Sequence, residues 1–331
     1  MLKDMMPHFE LFQPADLANA FDLLDRFGED CWTIAGGHDS LGWFKDRGKQ
    51  PSAVIDLAGI PGLEGIRETA DGVEIGAMTT LTEVERHPLI QEKFGLLAEA
   101  TRMVASPQIR NSGTLGGNLC QDARCWYYRY GLSCYRAGGN TCYASAPEAI
   151  NREHCIFEGN RCVAVTPSDP ASALVALEAS MVIRNSRGER FVAAEDFFMK
   201  PSVDITRMTV LEPNDLLTTI RIPNTWAGAE FYFEKVADRG SWDFPLVNVA
   251  AALRVEGDRI ERASIVSGGV QCTPRRLEQV EELITGRDRN DETAELAGAL
   301  AVRGAEPLNF NHFKVPLMEN LVKRAVRDAV A

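Results

Sequence analysis

Eight cysteines interrupt the 331-residue chain, and their spacing is its first chemical signal. Cys31 and Cys272 stand alone, whereas Cys120, Cys125, Cys134, Cys142, Cys155 and Cys162 crowd into one stretch. Four thiolates from such a stretch can hold an iron–sulfur cluster of the 4Fe-4S type or a zinc ion, and net charge does not separate the two. The intervals are not C-x-x-C, which disfavours a zinc ribbon. Disulfides need an oxidising compartment, and the start, Met1-Leu2-Lys3-Asp4-Met5-Met6-Pro7, has no apolar run of export-signal length. A connection this long inside a compact domain is functional or disordered. Its run Trp126-Tyr127-Tyr128-Arg129-Tyr130 and its cysteines argue against disorder.

Two glycine turns are the second signal: Ile34-Ala35-Gly36-Gly37-His38-Asp39-Ser40-Leu41 and Gly113-Thr114-Leu115-Gly116-Gly117-Asn118-Leu119. A glycine pair after a strand allows positive φ and close backbone approach, so that N–H groups can converge on a phosphate. Neither turn has the G-x-G-x-x-G spacing of a Rossmann fingerprint, but two such turns could grip one pyrophosphate. Taken alone, Asp169 before Pro170 reads as a helix N-cap, and Lys235 as a strand residue facing solvent.

The elements that would position these groups follow from periodicity. Leu17, Phe21, Leu24 and Phe27 repeat with helical spacing between Pro14 and Gly28. A short strand at 31–35 leads through the first glycine turn to a helical stretch at 41–44. Strands are expected at 52–57 and 72–77 and helices at 81–84 and 94–104. Beyond the cysteines, a helix runs from Asp169 to Leu177, and a hairpin pairs 181–184 with 190–192. A turn-rich break falls at Pro223-Asn224-Thr225. Strands at 229–237, 247–255 and 262–267 follow, and then helices at 277–283, 292–302 and 315–330. Strands first and helices after describe a separate α+β unit, with its boundary near residue 224.

The wording of the turns, with Ser168-Asp169, Glu234-Lys235-Val236-Ala237-Asp238-Arg239, Asp243-Phe244-Pro245-Leu246-Val247 and Asn311-His312-Phe313-Lys314-Val315, resembles the FAD-binding (medium) subunit of the xanthine oxidase, or molybdenum hydroxylase, family over essentially the whole chain. The resemblance implies an α+β fold in which residues 1–224 form a two-subdomain FAD-binding domain of the vanillyl-alcohol oxidase (PCMH) type. Residues 225–331 would form a CO dehydrogenase flavoprotein-like C-terminal domain of a three-stranded antiparallel sheet plus helices. It places FAD on Ala35, Gly36, Gly37, His38, Asp39, Ser40 and Leu41, and on Gly113, Thr114, Gly116, Gly117, Asn118 and Leu119. Asp169 would bond the flavin's polar tail, Lys235 would reach the flavin, and Val104, Ala105 and Leu217 would pack against it. His38 stands where many members carry Thr or Gln; a covalent histidyl–FAD bond, as in some relatives of the wider fold, would make the chain a free-standing oxidase.

The cysteine stretch is similar to that of the 4-hydroxybenzoyl-CoA reductase and aldehyde oxidoreductase branch, whose flavin subunits carry an extra 4Fe-4S cluster. On that likeness Cys125, Cys134, Cys142 and Cys162 are the ligands, Cys155 is the substitute, and Cys120, Cys31 and Cys272 are small buried residues. The implied role is electron transfer, with no catalytic side chain on this chain. A molybdenum–pterin large subunit and a small subunit with two 2Fe-2S clusters would be partners, and a redox protein, quinone or pyridine nucleotide the external acceptor or donor. A zinc-stabilised binding protein is the rival.

Composition sets the outer limits. A hydrophobic content of 45% supports a sizeable core. Thirty-five basic against 47 acidic residues, a formal net charge of −12, exclude a phosphate-backbone partner. With no apolar run of membrane-spanning length, the chain reads as cytoplasmic, reaching the periplasm only by co-export with a partner.

Overall fold

The computed structural model describes residues 6–330; Met1–Met5, where most of the export-signal reading falls, and Ala331 lie outside the described residues. The chain opens with a three-stranded parallel sheet of β1 (Glu10–Phe12), β2 (Cys31–Ile34) and β3 (Ala53–Asp56), ordered β1-β3-β2. The helix Leu17–Phe27 crosses between β1 and β2 and buries Ala20 and Leu24 against Ile55 and Leu57. Asp16 caps its start by accepting from the Asn19 N–H at 2.9 Å, and Gly28, at φ 52°, ends it.

A second, antiparallel sheet contains β4 (Ile66–Thr69), β5 (Gly72–Gly76), β6 (Ser180–Asn185), β7 (Gly188–Ala193) and β8 (Leu216–Pro223), ordered β4-β5-β8-β6-β7. The hairpin β6–β7 and the strand at β5 follow the sequence pattern. The central strand β8 was not legible, because it pairs with β5, more than a hundred residues upstream, and β6 rather than with a sequence neighbour.

The third sheet holds β9 (Glu230–Val236), β10 (Val247–Glu256), β11 (Arg259–Gly268) and β12 (Arg275–Arg276), antiparallel and ordered β12-β11-β10-β9. It has four strands instead of the expected three, because a two-residue edge strand adds to β11. Side chains alternate across β10. Val247, Val249, Ala251 and Leu253 face the helices Glu278–Ile284, Asp291–Ala301 and Lys314–Asp328. Ala250 and Ala252 face the helix Asp169–Ala176, whose eight residues are all buried. The mixed α/β architecture is thus a parallel sheet and an antiparallel sheet with helices, followed by an antiparallel sheet covered by helices.

Residues 120–165 have little regular backbone, with one four-residue helix, Trp126–Arg129, and two short 3-10 turns, Tyr135–Ala137 and Tyr143–Ser145. The C-terminal part holds this segment in place. The Asn311 amide donates to the carbonyls of His154 and Cys155 at 3.0 and 3.1 Å. The buried Lys314 ammonium bridges the carbonyls of Glu153 and Gly269 at 3.0 and 2.7 Å.

Candidate functional site

A cleft of about 540 Å3 opens between the parallel sheet, the second glycine turn and the loop after β9. Its size is that of a small-molecule or cofactor site. Ala35, Gly36, Gly37, His38, Asp39, Ser40, Val104, Ala105, Gly113, Thr114, Gly116, Gly117, Asn118, Asp169 and Leu217 line it.

The two turns meet directly. A Cβ on Gly36 would lie 2.3 Å from the Ser112 carbonyl oxygen, so only glycine permits the approach. Gly37 follows at φ 77°, and the helix Ser40–Lys45 begins three residues later. His38 Nε2 sits 3.4 Å from Ser112 Oγ across the junction.

Backbone hydrogen bonding distinguishes the turns. In the second, the amides of Leu115 and Gly116 donate to the carbonyls of Thr79 and Ala77, those of Gly113 and Asn118 to Ile109 and Thr114, and that of Gly117 to Thr114 Oγ1. This turn is the capped start of a short helix, Leu115–Leu119. In the first, the amides of Gly36, Gly37, His38 and Asp39 have no protein acceptor among the described residues. A cluster of unclaimed N–H groups at a positive-φ glycine is an anion-binding concavity.

Three residues expected on the flavin stand apart from the cleft lining. Leu41 is exposed on the outer face of its helix. Leu119 belongs to the main apolar core. Lys235 is drawn under the loop after β9, where a buried ammonium must find acceptors. It donates to Asp169 Oδ2 at 2.7 Å and to the carbonyls of Met103 and Asp243 at 3.0 and 2.7 Å. Asn248 Nδ2 donates to Asp169 Oδ1 at 2.9 Å. Burial pushes the Asp169 carboxyl upward, and Lys235 and Asn248 pull it back.

Sequence reasoning missed several cleft walls. Trp242 and Phe244 reach in from the loop after β9, Arg124 from the cysteine segment, and Cys31 and Cys120 from positions read as plain core. Burial pushes the Cys120 thiol up to about 12 and that of Cys31 up to about 11, so both are neutral apolar surface. The Asp243-Phe244 pair was visible in the chain, but its place over the cleft depends on the fold.

Beside the cleft, Cys125, Cys134, Cys142 and Cys162 line a cavity of about 20 Å3 together with Arg136. All eight cysteines are free thiols. Cys155 is not part of this lining, but it packs with Ala144 and Val163 in a cluster that Cys125 and Cys142 join. Cys272, remote in sequence, packs against Cys134 and Cys162. His154 Nε2 is 3.2 Å from Cys125 Sγ, and burial lowers its pKa to about 4, so the ring is neutral. Among the described residues, no group of three or more His, Cys, Asp or Glu side chains is placed to hold a metal ion. Asp39 joins the two sites: it pairs with Arg129, lies 3.2 Å from Arg124, and accepts from the Asp122 N–H at 3.0 Å.

No helix among the described residues is long and apolar enough to cross a membrane. Residues 7–225 match the family described as the FAD binding domain in molybdopterin dehydrogenase, and residues 232–329 match the CO dehydrogenase flavoprotein C-terminal domain. The carbon monoxide dehydrogenase medium chain of Hydrogenophaga pseudoflava is 30% identical over 98% of each chain. The aldehyde oxidoreductase FAD-binding subunit PaoB of Escherichia coli is 30% identical over 90% of this chain and 91% of that one. The solved carbon monoxide dehydrogenase from Hydrogenophaga pseudoflava superposes with a TM-score of 0.79 at 29% identity, covering 98% of both chains.

Proposed function

The chain belongs to the family of FAD-binding domains in molybdopterin dehydrogenases and is the FAD-binding medium subunit of a molybdenum hydroxylase, and we propose that it relays electrons through two centres, FAD and a 4Fe-4S cluster. We take residues 1–224 as its FAD-binding domain and 225–331 as its C-terminal domain. Its partners in this reading are a molybdenum–pterin large subunit and a 2Fe-2S small subunit, with a redox protein, quinone or pyridine nucleotide as external acceptor or donor.

The residues present fit FAD. The unclaimed amides of Gly36–Asp39 suit a pyrophosphate, and Val104, Ala105 and Leu217 offer apolar surface to rings. Bound there, FAD supplies the conversion between single-electron and two-electron transfer. The chain's own contribution is to orient the cofactor and shield it. The Asp169–Lys235–Asn248 cluster anchors the cleft floor to the C-terminal sheet.

The second centre rests on one observation: four cysteines, drawn from residues 125–162, line a single small cavity beside the flavin cleft. Four cysteine sulfurs are the donor set that a 4Fe-4S cluster would take, and Cys125, Cys134, Cys142 and Cys162 would supply it. This arrangement also favours the aldehyde oxidoreductase and 4-hydroxybenzoyl-CoA reductase branch.

The test is the quadruple Cys→Ser variant at 125, 134, 142 and 162. Loss of iron and of broad visible absorbance, with FAD retained, is the expected result. Unchanged iron would remove these four residues as ligands, and a wild-type chain containing zinc instead of iron would end the electron-relay reading of the loop.

A further inference from the structure

Two arginines line the cysteine cavity, Arg136 and Arg161; Arg161 is exposed, whereas Arg136 is buried, and the electron-relay reading assigns it no task. It is 3% exposed and lines the same cavity as the four cysteines. Its Nη2 donates to the Cys272 sulfur at 3.6 Å, a weak acceptor. Its Nε and Nη1 are buried and have no acceptor at all. Arginine stays charged in proteins, and a buried charge without a counter-ion is strongly unfavourable. Its electrostatic neighbours are Cys272, Cys162, which it also hydrogen-bonds, and Asp122, and burial pushes the Cys272 thiol up to about 12. Asp122 is claimed elsewhere, accepting from the Tyr128 hydroxyl at 2.9 Å and lying 3.8 Å from Lys49.

The backbone holds this cation close to its sulfurs. Arg136 sits in the 3-10 turn Tyr135–Ala137, which Cys134 caps. The amides of Ala137 and Gly139 both donate to the Cys134 carbonyl, at 2.9 and 2.7 Å. These bonds fix the Arg136 backbone next to Cys134.

Resting on the reading of Cys125, Cys134, Cys142 and Cys162 as cluster ligands, we infer that Arg136 is the buried counter-cation of that cluster and raises its reduction potential. Four thiolates leave the liganded group negative in both redox states, and uptake of one electron makes it more negative by one charge. A fixed cation in a low-dielectric site stabilises the more negative state more strongly. Arg136 is thus a positioning and tuning residue.

Wild type, R136K, R136M and R136Q, each checked for bound FAD as proof of folding, are compared by iron content and by an EPR-monitored potentiometric titration with dithionite as the reductant. The expected result is that R136M and R136Q, which remove the charge, bind less iron or hold it at a more negative potential. R136K is expected to keep both properties near wild type. Wild-type iron and potential in the two neutral variants overturn the inference. So does an R136K variant that behaves like R136M, because the position would then supply shape and not charge. Iron missing from the wild type overturns the cluster reading itself, an outcome distinguishable from either.

Discussion

The flavin cleft is walled by strands and helices that close their own hydrogen bonds, whereas the cysteine cavity is walled by residues 125–162, where regular structure shrinks to one short helix and two 3-10 turns. In the cleft, the second turn satisfies its own amides and the first is pressed against it at Gly36, so the amides left over point where a ligand belongs. In the cysteine cavity the groups that face inward are side chains, four thiols and a guanidinium whose Nε and Nη1 lack acceptors. A preformed backbone site keeps its shape without its ligand. A site made of side chains on an irregular segment must offset the entropy of ordering that segment, and its ligand does part of that work. The two regions thus stand at opposite ends of preorganisation, joined at Asp39.

On the proposed cluster reading, removing iron tests this contrast with the largest effect. Chelation of the reduced protein is expected to make residues 125–162 cleavable under limited proteolysis while FAD stays bound. Removal of FAD by high salt is expected to leave the same segment protected. Equal cleavage in both preparations would mean that the segment is ordered by the fold alone.

The next effect lies beneath the cleft. Lys235→Met leaves the Asp169 carboxylate buried with only Asn248 as partner, and losing one member of a buried pair costs about 3–5 kcal/mol. Thermal unfolding should show a large drop in Tm that added FAD restores only in part. A variant as stable as wild type would mean that the carboxyl takes up a proton when the ammonium is lost.

Gly36→Ala tests the backbone site alone. Its Cβ would meet the Ser112 carbonyl, an overpacking of about 1–3 kcal/mol. FAD affinity is expected to fall roughly ten- to hundredfold, with iron content unchanged, as read by flavin fluorescence and iron assay. Loss of iron in step with FAD would show that the two sites assemble as one.

The smallest effect concerns the clamp on the cysteine segment. Burial lowers the Lys314 ammonium to about 7, well below its unfolded value. Between pH 7 and 8.5 the unfolded chain then holds more protons at this site than the folded one, so stability rises with pH. Stability should climb over that window in wild type, by at most about 1.4 kcal/mol per pH unit, and less in Lys314→Met. Below pH 7 both states are protonated at this lysine and its contribution is flat.

Much of this could be read in advance where the signal is local. Asp16 and Gly28 frame the first helix, the two glycine pairs mark the flavin turns, and β6–β7 shows as a hairpin around Gly188. The cysteines that share a cavity were named from the chain. The role of Lys235 was not legible, because an ammonium is drawn to whichever acceptors the fold buries beside it, here Asp169 and two carbonyls. Leu41 and Leu119 adjoin glycine turns in sequence but do not line the cleft, Leu119 being packed in the apolar core.

By itself the sequence determined the order of elements, the two glycine turns and the supply of thiols, since caps, periodicities and residue types act over a few residues. Only the tertiary structure decided which turn keeps its amides free, which cysteines face one cavity, and that Arg136 meets Cys272, 136 positions away, while Lys314 clamps a carbonyl 161 positions upstream. The physical reason is that burial forces each polar group to take the partner that packing brings to it. That partner is set by how the sheets and helices stack, and no local pattern encodes it.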